Sequence, residues 1–237
     1  ESELPETIPI LALRNVVLFP GTIYPITIGR EKSKRLIADA EKHGTFIGAV
    51  PQLDVNVEEP GEEDLYRFGT VAKVIKTLDM PDGTVTAILQ SIKRIELLTV
   101  VDYDPYIKGI VRYLDDIITK ENSTDLKGIA STIKDKASQI MANSNMAAKE
   151  AIGAMRSIDN FPFLVNFIAT TVDVENFEGK IDLLQYDDVK ARAMKLLVIL
   201  DGQLQLTNLK QEINLKVKQE IDQQQREYYL NNQLRTI

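Results

Sequence analysis

The sequence predicts an α+β chain with a strand-rich first half, a helical second half and one long helix at its end. Three observations carry this expectation. Up to about residue 115, short runs rich in β-branched and aromatic residues are separated by proline and glycine turns. After Asp115 and Asp116 the apolar residues recur at steps of three and four, the spacing of one helix face. From Val189 onward that spacing continues without a proline to the last residue. Strands followed by helices define the α+β class, here expected as two subdomains with a helical extension.

Taken in order, residues 8–13 and 16–19 are apolar runs split by Arg14 and Asn15, and Pro20-Gly21 marks a turn. Residues 23–28 read as a strand that Pro25 confines to an edge or a bulge. Glu31–His43 is a short helix with Leu36, Ile37 and Ala40 facing inward and Gly44 as its stop. Residues 46–50 form a strand, and the acidic stretch 54–64, with Pro60-Gly61, forms an exposed loop. Residues 65–78 are a long strand, Met80-Pro81-Asp82-Gly83 a hairpin turn, and residues 84–89 the return. Strands at 94–101 and 106–113 follow, separated by Asp104-Pro105. This pattern predicts a small, partly closed barrel over residues 1–116.

Ser123, Thr124 and Asp125 offer an N-cap for the first of the later helices. Ile129, Ile133, Ala137, Ile140 and Met141 form one stripe, and Ala151, Met155 and Ile158 a second. A further helix starts at Phe161-Pro162-Phe163, and the helical subdomain is expected to span 117–202. In the last helix Gly202 is the weak point, so residues 203–237 are treated as a separate extension of about 50 Å at 1.5 Å per residue. Its apolar stripe steps by four through Leu209, Ile213, Val217 and Ile221, which winds around the helix. It fits a solvated helix end or an intersubunit coiled coil equally well. The helical pattern has no stop signal at Ile237, which reads as a cut inside a longer helix.

Composition removes several functional classes. The formal charge of −7 disfavours generic attraction to nucleic acid. With no cysteine there is no disulfide, thiolate metal site or cysteine nucleophile, which fits a reducing compartment. No apolar run approaches a membrane span, and the acidic start lacks the features of a signal peptide. The phosphate-cradling run G-x-x-x-x-G-K-[ST] is absent, and Gly29 to Ser33 reads as a helix start. Ser131 and Lys134 match S-x-x-K but lack partner motifs. The cluster Glu58, Glu59, Glu62, Glu63 and Asp64 lacks calcium-loop spacing, and His43 alone cannot build a histidine metal site. No catalytic, metal or cofactor residue is therefore assigned.

Two proline turns carry apolar side chains where turns are normally polar. Phe19-Pro20 and Met80-Pro81 either form an exposed binding patch or fold back to cap the barrel ends.

Several stretches resemble the ATP-dependent protease family Lon. Leu11 to Gly21 (LALRNVVLFPG) and Ile28 to Ser33 (IGREKS) look like the family's opening, and Thr77 to Val85 (TLDMPDGTV) like its hairpin. Gln225 to Ile237 (QREYYLNNQLRTI) is similar to the long helix that enters the family's ATPase module. The resemblance implies a Lon N-terminal region with a pseudo-barrel of the pseudouridine-synthase-like RNA-binding type, then helices. It implies a cytoplasmic, hexameric parent with ATP and Mg in an AAA+ module and a Ser-Lys serine protease dyad. The chain itself is then expected to be non-catalytic and without cofactor, engaging unfolded or damaged protein substrates and supporting hexamer assembly. Phe19, Pro20, Met80 and Pro81 become candidate substrate contacts. Gln225, Arg226, Tyr228, Tyr229 and Leu230 become candidates for an inter-subunit or inter-domain helix. A stand-alone regulatory Lon-domain protein and an RNA-binding module remain the alternatives.

Overall fold

A computed structural model describes residues 3–118, 123–142 and 146–235. Six strands form one mixed sheet: β1 (Thr7–Leu13), β2 (Ile23–Ile28), β3 (Phe46–Pro51), β4 (Phe68–Asp79), β5 (Val85–Asp102) and β6 (Lys108–Leu114). Their order is β2-β5-β4-β3-β1-β6, with β6 also paired to β5. Among these six strands β1 and β3 pair parallel and the other pairings are antiparallel. The pairings thus pass from β5 through β4, β3, β1 and β6 and return to β5.

Strand β5 makes that return possible. It is 18 residues long, pairs with β2 through residues 85–90 and reaches β6 through residues 94–102. The sequence reading placed two strands here, at 84–89 and 94–101. They are one strand because register shifts opposite Val71/Ala72 and Val74/Lys76 are absorbed as bulges, which bend and twist a strand without ending it. Strand β2 pairs only with β5, so Pro25 does sit on an edge strand, where its missing N–H costs no ladder bond.

Helix α1 (Glu31–His43) buries Leu36, Ile37 and Ala40 against the sheet and ends at Gly44, whose φ of 63° suits glycine and whose N–H caps Ala40 O. The remaining helices are α2 (Ser123–Ala142), α3 (Met146–Arg156), α4 (Phe161–Thr171), α5 (Phe177–Asp182) and α6 (Val189–Arg235). The Asn160 side chain accepts from Phe163 N and starts α4, with a proline in its first turn. A core of Ile133, Met155, Val165, Ile168, Leu196 and others joins these helices, and it also takes in Val17 and Phe19 from the β1–β2 connection.

Helix α6 runs unbroken for 47 residues, through Gly202. That glycine is exposed, and a Cβ there would meet nothing within 4 Å. It therefore costs helix propensity of about 1 kcal/mol without breaking a contact. The first third of α6 buries Val189, Ala193, Leu196 and Leu200, whereas residues 208–235 are exposed throughout. Those last residues reach about 42 Å into solvent at 1.5 Å per residue.

Candidate functional site

The two proline turns have opposite fates. In the first, Phe19 is fully buried and packs in the helical core, its carbonyl accepting from Thr22 Oγ1 at 2.7 Å. Pro20 is half-buried, and its carbonyl accepts from Asn166 Nδ2 of α4 at 3.2 Å. Gly21 has φ +83°, and a Cβ there would meet the Phe163 ring at 3.1 Å. This corrects the expectation that Phe19 and Pro20 present an apolar surface: the turn is a wedge driven into α4. Burial removes Phe19 from any capture surface.

The second turn stands free. Met80 N–H donates to Thr84 O at 2.9 Å, Gly83 N–H to Met80 O at 3.1 Å, and Gly83 adopts φ +86° with open space around it. Met80 is 42% exposed and Pro81 is exposed. Beside them the same face of the β2–β5–β4 arm is mixed, with apolar Leu78, Pro25, Ile88 and Ile23 among Thr27, Lys73, Lys76, Thr86 and Gln90. Leu78 pairs with Thr86, Pro25 with Ile88 and Ile23 with Gln90; alternate residues of a strand share a face, so these partners lie on one side. Ile23 and Leu78 are both solvent-exposed.

The two halves of the chain are tied by a buried charge cluster with no counterpart in the sequence reading. Arg94 of β5 and Arg192 of α6 have fully buried side chains, and both bind Asp116 Oδ1, at 3.0 and 2.7 Å. Arg94 also donates to Leu184 O and to Asp187 Oδ1, both at 2.8 Å. Arg192 also donates to Tyr186 O at 2.6 Å and to Asn166 Oδ1 at 3.1 Å. A continuous path therefore runs from Pro20 through Asn166, Arg192 and Asp116 to Arg94. Burial alone pushes the Asp116 carboxyl up, but the hydrogen bond and charge of Arg192, joined by Arg94, more than reverse this and hold it below the usual carboxylate range. Nearby, Lys180 Nζ donates to Thr170 O and Val172 O at the end of α4, and burial pulls it down to about 8 against the opposing charge of Asp173.

The remaining motifs are occupied structurally. Ser131 is exposed on α2, while Lys134 Nζ donates to Arg156 O at 3.2 Å, so the S-x-x-K pair forms no dyad. In the acidic loop, Glu58 pairs with Arg14, Glu59 with Lys32, Glu62 accepts from Val100 N and Asp64 from Gly61 N. Among the described residues no group of three or more His, Asp or Glu side chains could hold a metal. His43 is exposed in the last turn of α1.

Comparison with known proteins decides the family. The model of the ATP-dependent protease La (LON) substrate-binding domain matches residues 7–202. The chain belongs to the Lon substrate-binding domain family. It is 40% identical over 235 residues to the Lon protease of Flavobacterium johnsoniae and 41% identical over 239 residues to that of Porphyromonas gingivalis. Those alignments cover 99% and 100% of this chain but only 29% and 28% of the relatives. In fold it is similar to the N-terminal domain of a Mycobacterium avium complex Lon protease, with a TM-score of 0.65 at 16% identity over 82% of this chain and 98% of that one. A Lon N-terminal domain protein from Xanthomonas campestris gives a TM-score of 0.56 at 18% identity, over 81% and 97%.

Within this Lon domain, the family match stops at residue 202 while α6 continues to Arg235. Gln225, Arg226, Tyr228, Tyr229 and Leu230 all lie on its solvent-exposed part, with Tyr228 and Tyr229 among the most exposed large side chains of the chain. Sequence reasoning missed Arg94, Asp116 and Arg192. One signal was available: Arg192 lies three residues after Val189 and one before Ala193, on the helix face that must be buried. A cation there implies buried partners. Arg94 and Asp116 carry no comparable mark.

Proposed function

We propose that this Lon domain is a non-catalytic substrate-engaging module that captures exposed apolar segments of unfolded or damaged proteins at the β4–β5 hairpin. The observation that supports the reading is the hairpin end of β4, where Leu78 and Met80 are solvent-exposed beside Pro81. Adjacent exposed apolar side chains mark binding surfaces, and methionine adapts to varied partners. Complete burial of such a side chain contributes about 1.5–3 kcal/mol, and ordering a flexible client offsets part of it, so capture is weak and reversible. The exposed half of α6, with Gln225 to Leu230, then joins the domain to a cytoplasmic, hexameric ATP-dependent serine protease whose AAA+ module holds ATP and Mg. The closed circuit of strand pairings further supports a pseudo-barrel of the pseudouridine-synthase-like type.

The test is an NMR titration of the chain with a denatured client protein. Met80→Asp is expected to keep the parent melting temperature and to weaken client-induced shifts several-fold. A variant that keeps both its melting temperature and its full shifts overturns the hairpin as the capture site.

A further inference from the structure

Two strand edges of the sheet face one cavity. Strand β1 pairs with β3 on one side through residues 10–13. On its other side β6 covers only residues 7–9, and Ile10 N–H adds one bond to Ile107 O. Beyond Ile10 that edge has no strand among the described residues. Strand β2 pairs with β5 and, among the described residues, has no strand on its second edge. Residues 10–13 of β1, Arg14 just after it and residues 24–28 of β2 line the same cavity of about 980 Å³. Its floor is the packed core cluster of Leu11, Leu13, Ile26, Ile28 and Leu36, and the half-buried Val16, Tyr24, Tyr106 and Ile107 line its wall.

What holds the open β1 edge is a side chain. Arg30 Nη2 donates to Ala12 O at 2.8 Å, in the place where a neighbouring strand would offer a backbone N–H. Arg30 shares this end of the cavity with Arg14, whose Nε is buried and faces no acceptor. Burial lowers the Arg30 proton affinity, the charge of Arg14 lowers it further, and Glu58 offsets only part of this. Glu31, Glu58 and Glu59 balance the charge of Arg14, Arg30 and Lys32 here, so what this end leaves open is the buried Arg14 Nε–H, which calls for an acceptor, and the two edges call for an extended backbone.

The loop over this end decides how a chain would lie. Arg14 donates to Val57 O at 3.3 Å and pairs with Glu58 at 3.2 Å, Arg30 donates to Glu58 O at 3.4 Å, and Lys32 pairs with Glu59 at 3.8 Å. A chain running through would have to break these ties; a chain that ends at the two arginines would not.

We propose that this cavity is a strand-addition site for the C-terminal end of a polypeptide, whose extended apolar residues enter between β1 and β2 and whose terminal carboxylate binds Arg14 and Arg30. Arg30 exchanges Ala12 O for the carboxylate, and Ala12 O then accepts from the incoming backbone. Edge pairing supplies affinity, and alternate side chains meet the apolar wall. The inference rests on the reading of the domain as a protein-binding module, but it assigns a different surface and a different part of the client.

The probe is a fluorophore-labelled pentapeptide of valine, threonine and isoleucine, used with a free C-terminal carboxylate and as its C-terminal amide. The free acid is expected to bind, with amide shifts at residues 11–13 and 24–28, and the amide to bind more weakly by on the order of tenfold. Arg14→Gln and, separately, Arg30→Gln are expected to erase the acid-over-amide preference, with thermal melts confirming that each variant folds. Should Arg30→Gln fail to fold, Arg14→Gln decides alone. Equal binding of acid and amide, or shifts confined to the hairpin around Met80, overturns the proposal. If neither peptide binds while a denatured client still binds at the hairpin, this inference alone fails; if the client also fails to bind, both readings fail.

Discussion

Phe19-Pro20-Gly21 and Met80-Pro81-Asp82-Gly83 look alike in sequence: an apolar residue, a proline and a glycine between two strands. Both glycines adopt positive φ, +83° and +86°. Yet Phe19 is 0% exposed and Met80 is 42% exposed. The difference is what lies across from each turn. Opposite the first stands α4, whose Asn166 takes the Pro20 carbonyl and whose Phe163 closes over Gly21. Around the second, a Cβ on Gly83 would meet nothing within 4 Å, and Met80 and Pro81 stay exposed. A turn's composition sets its backbone geometry; whether it becomes an anchor or a contact surface depends on a helix more than 140 residues away in the chain.

The largest test of this contrast is a matched pair of charge substitutions. Phe19→Asp is expected to abolish the cooperative melt, since losing a buried phenylalanine alone costs about 3–5 kcal/mol and a buried carboxylate adds to that. Such a loss is comparable to the whole stability of a domain, about 5–15 kcal/mol. Met80→Asp in the same assay should leave the melting temperature unchanged. A folded Phe19→Asp protein would remove the distinction between the turns.

The next test probes the cluster behind the anchored turn. Asp116→Ala leaves two fully buried guanidinium groups with fewer acceptors and is expected to cost about 3 kcal/mol in chemical denaturation. A loss under 0.5 kcal/mol would show that Asp187, Asn166 and the backbone carbonyls suffice.

A smaller effect separates the glycines. Alanine at either position must adopt positive φ, which costs about 1 kcal/mol or more. Gly21→Ala also presses on Phe163 at 3.1 Å, whereas Gly83→Ala meets open space. Gly21→Ala is therefore expected to destabilise more, by roughly a further 1 kcal/mol. Equal melting temperatures for the two variants would mean that Phe163 yields freely.

A last test, read as a slope against pH, asks how dry the helical core around the anchored turn is. Folding lowers Lys180 from 10.5 to about 8, so between those values the unfolded chain binds more protons than the folded one. Stability then rises with pH across that window, by at most about 1.4 kcal/mol per pH unit, and the full penalty applies below pH 8. Lys180→Met is expected to lose this contribution to the slope. Parallel slopes for parent and variant between pH 8 and 10.5 would show that the ammonium reaches water.

Much of the local structure is legible in the chain. Glu31–His43 and its Gly44 stop follow from helical spacing and a left-handed glycine, and the edge position of β2 follows from Pro25. These depend on residues a few positions apart, where backbone sterics and side-chain period act directly. The union of two expected strands into β5 was not legible, because it rests on bulges paired across β4. The passage of α6 through Gly202 was legible as one helix with a weak point, because the propensity penalty of a glycine is small against the continuity of a long helix.

The sequence by itself determined the α+β order, the turn geometries, the lack of a phosphate loop and the unbroken polar helix, because each is written in local spacing and residue type. Tertiary structure alone decided that Phe19 is an anchor, that Arg94 and Arg192 share Asp116 and that β1 and β2 open onto one cavity. Each of these joins residues far apart in the chain. Burial and ion pairing depend on what packs opposite a side chain, and that partner is supplied only when the chain folds back on itself.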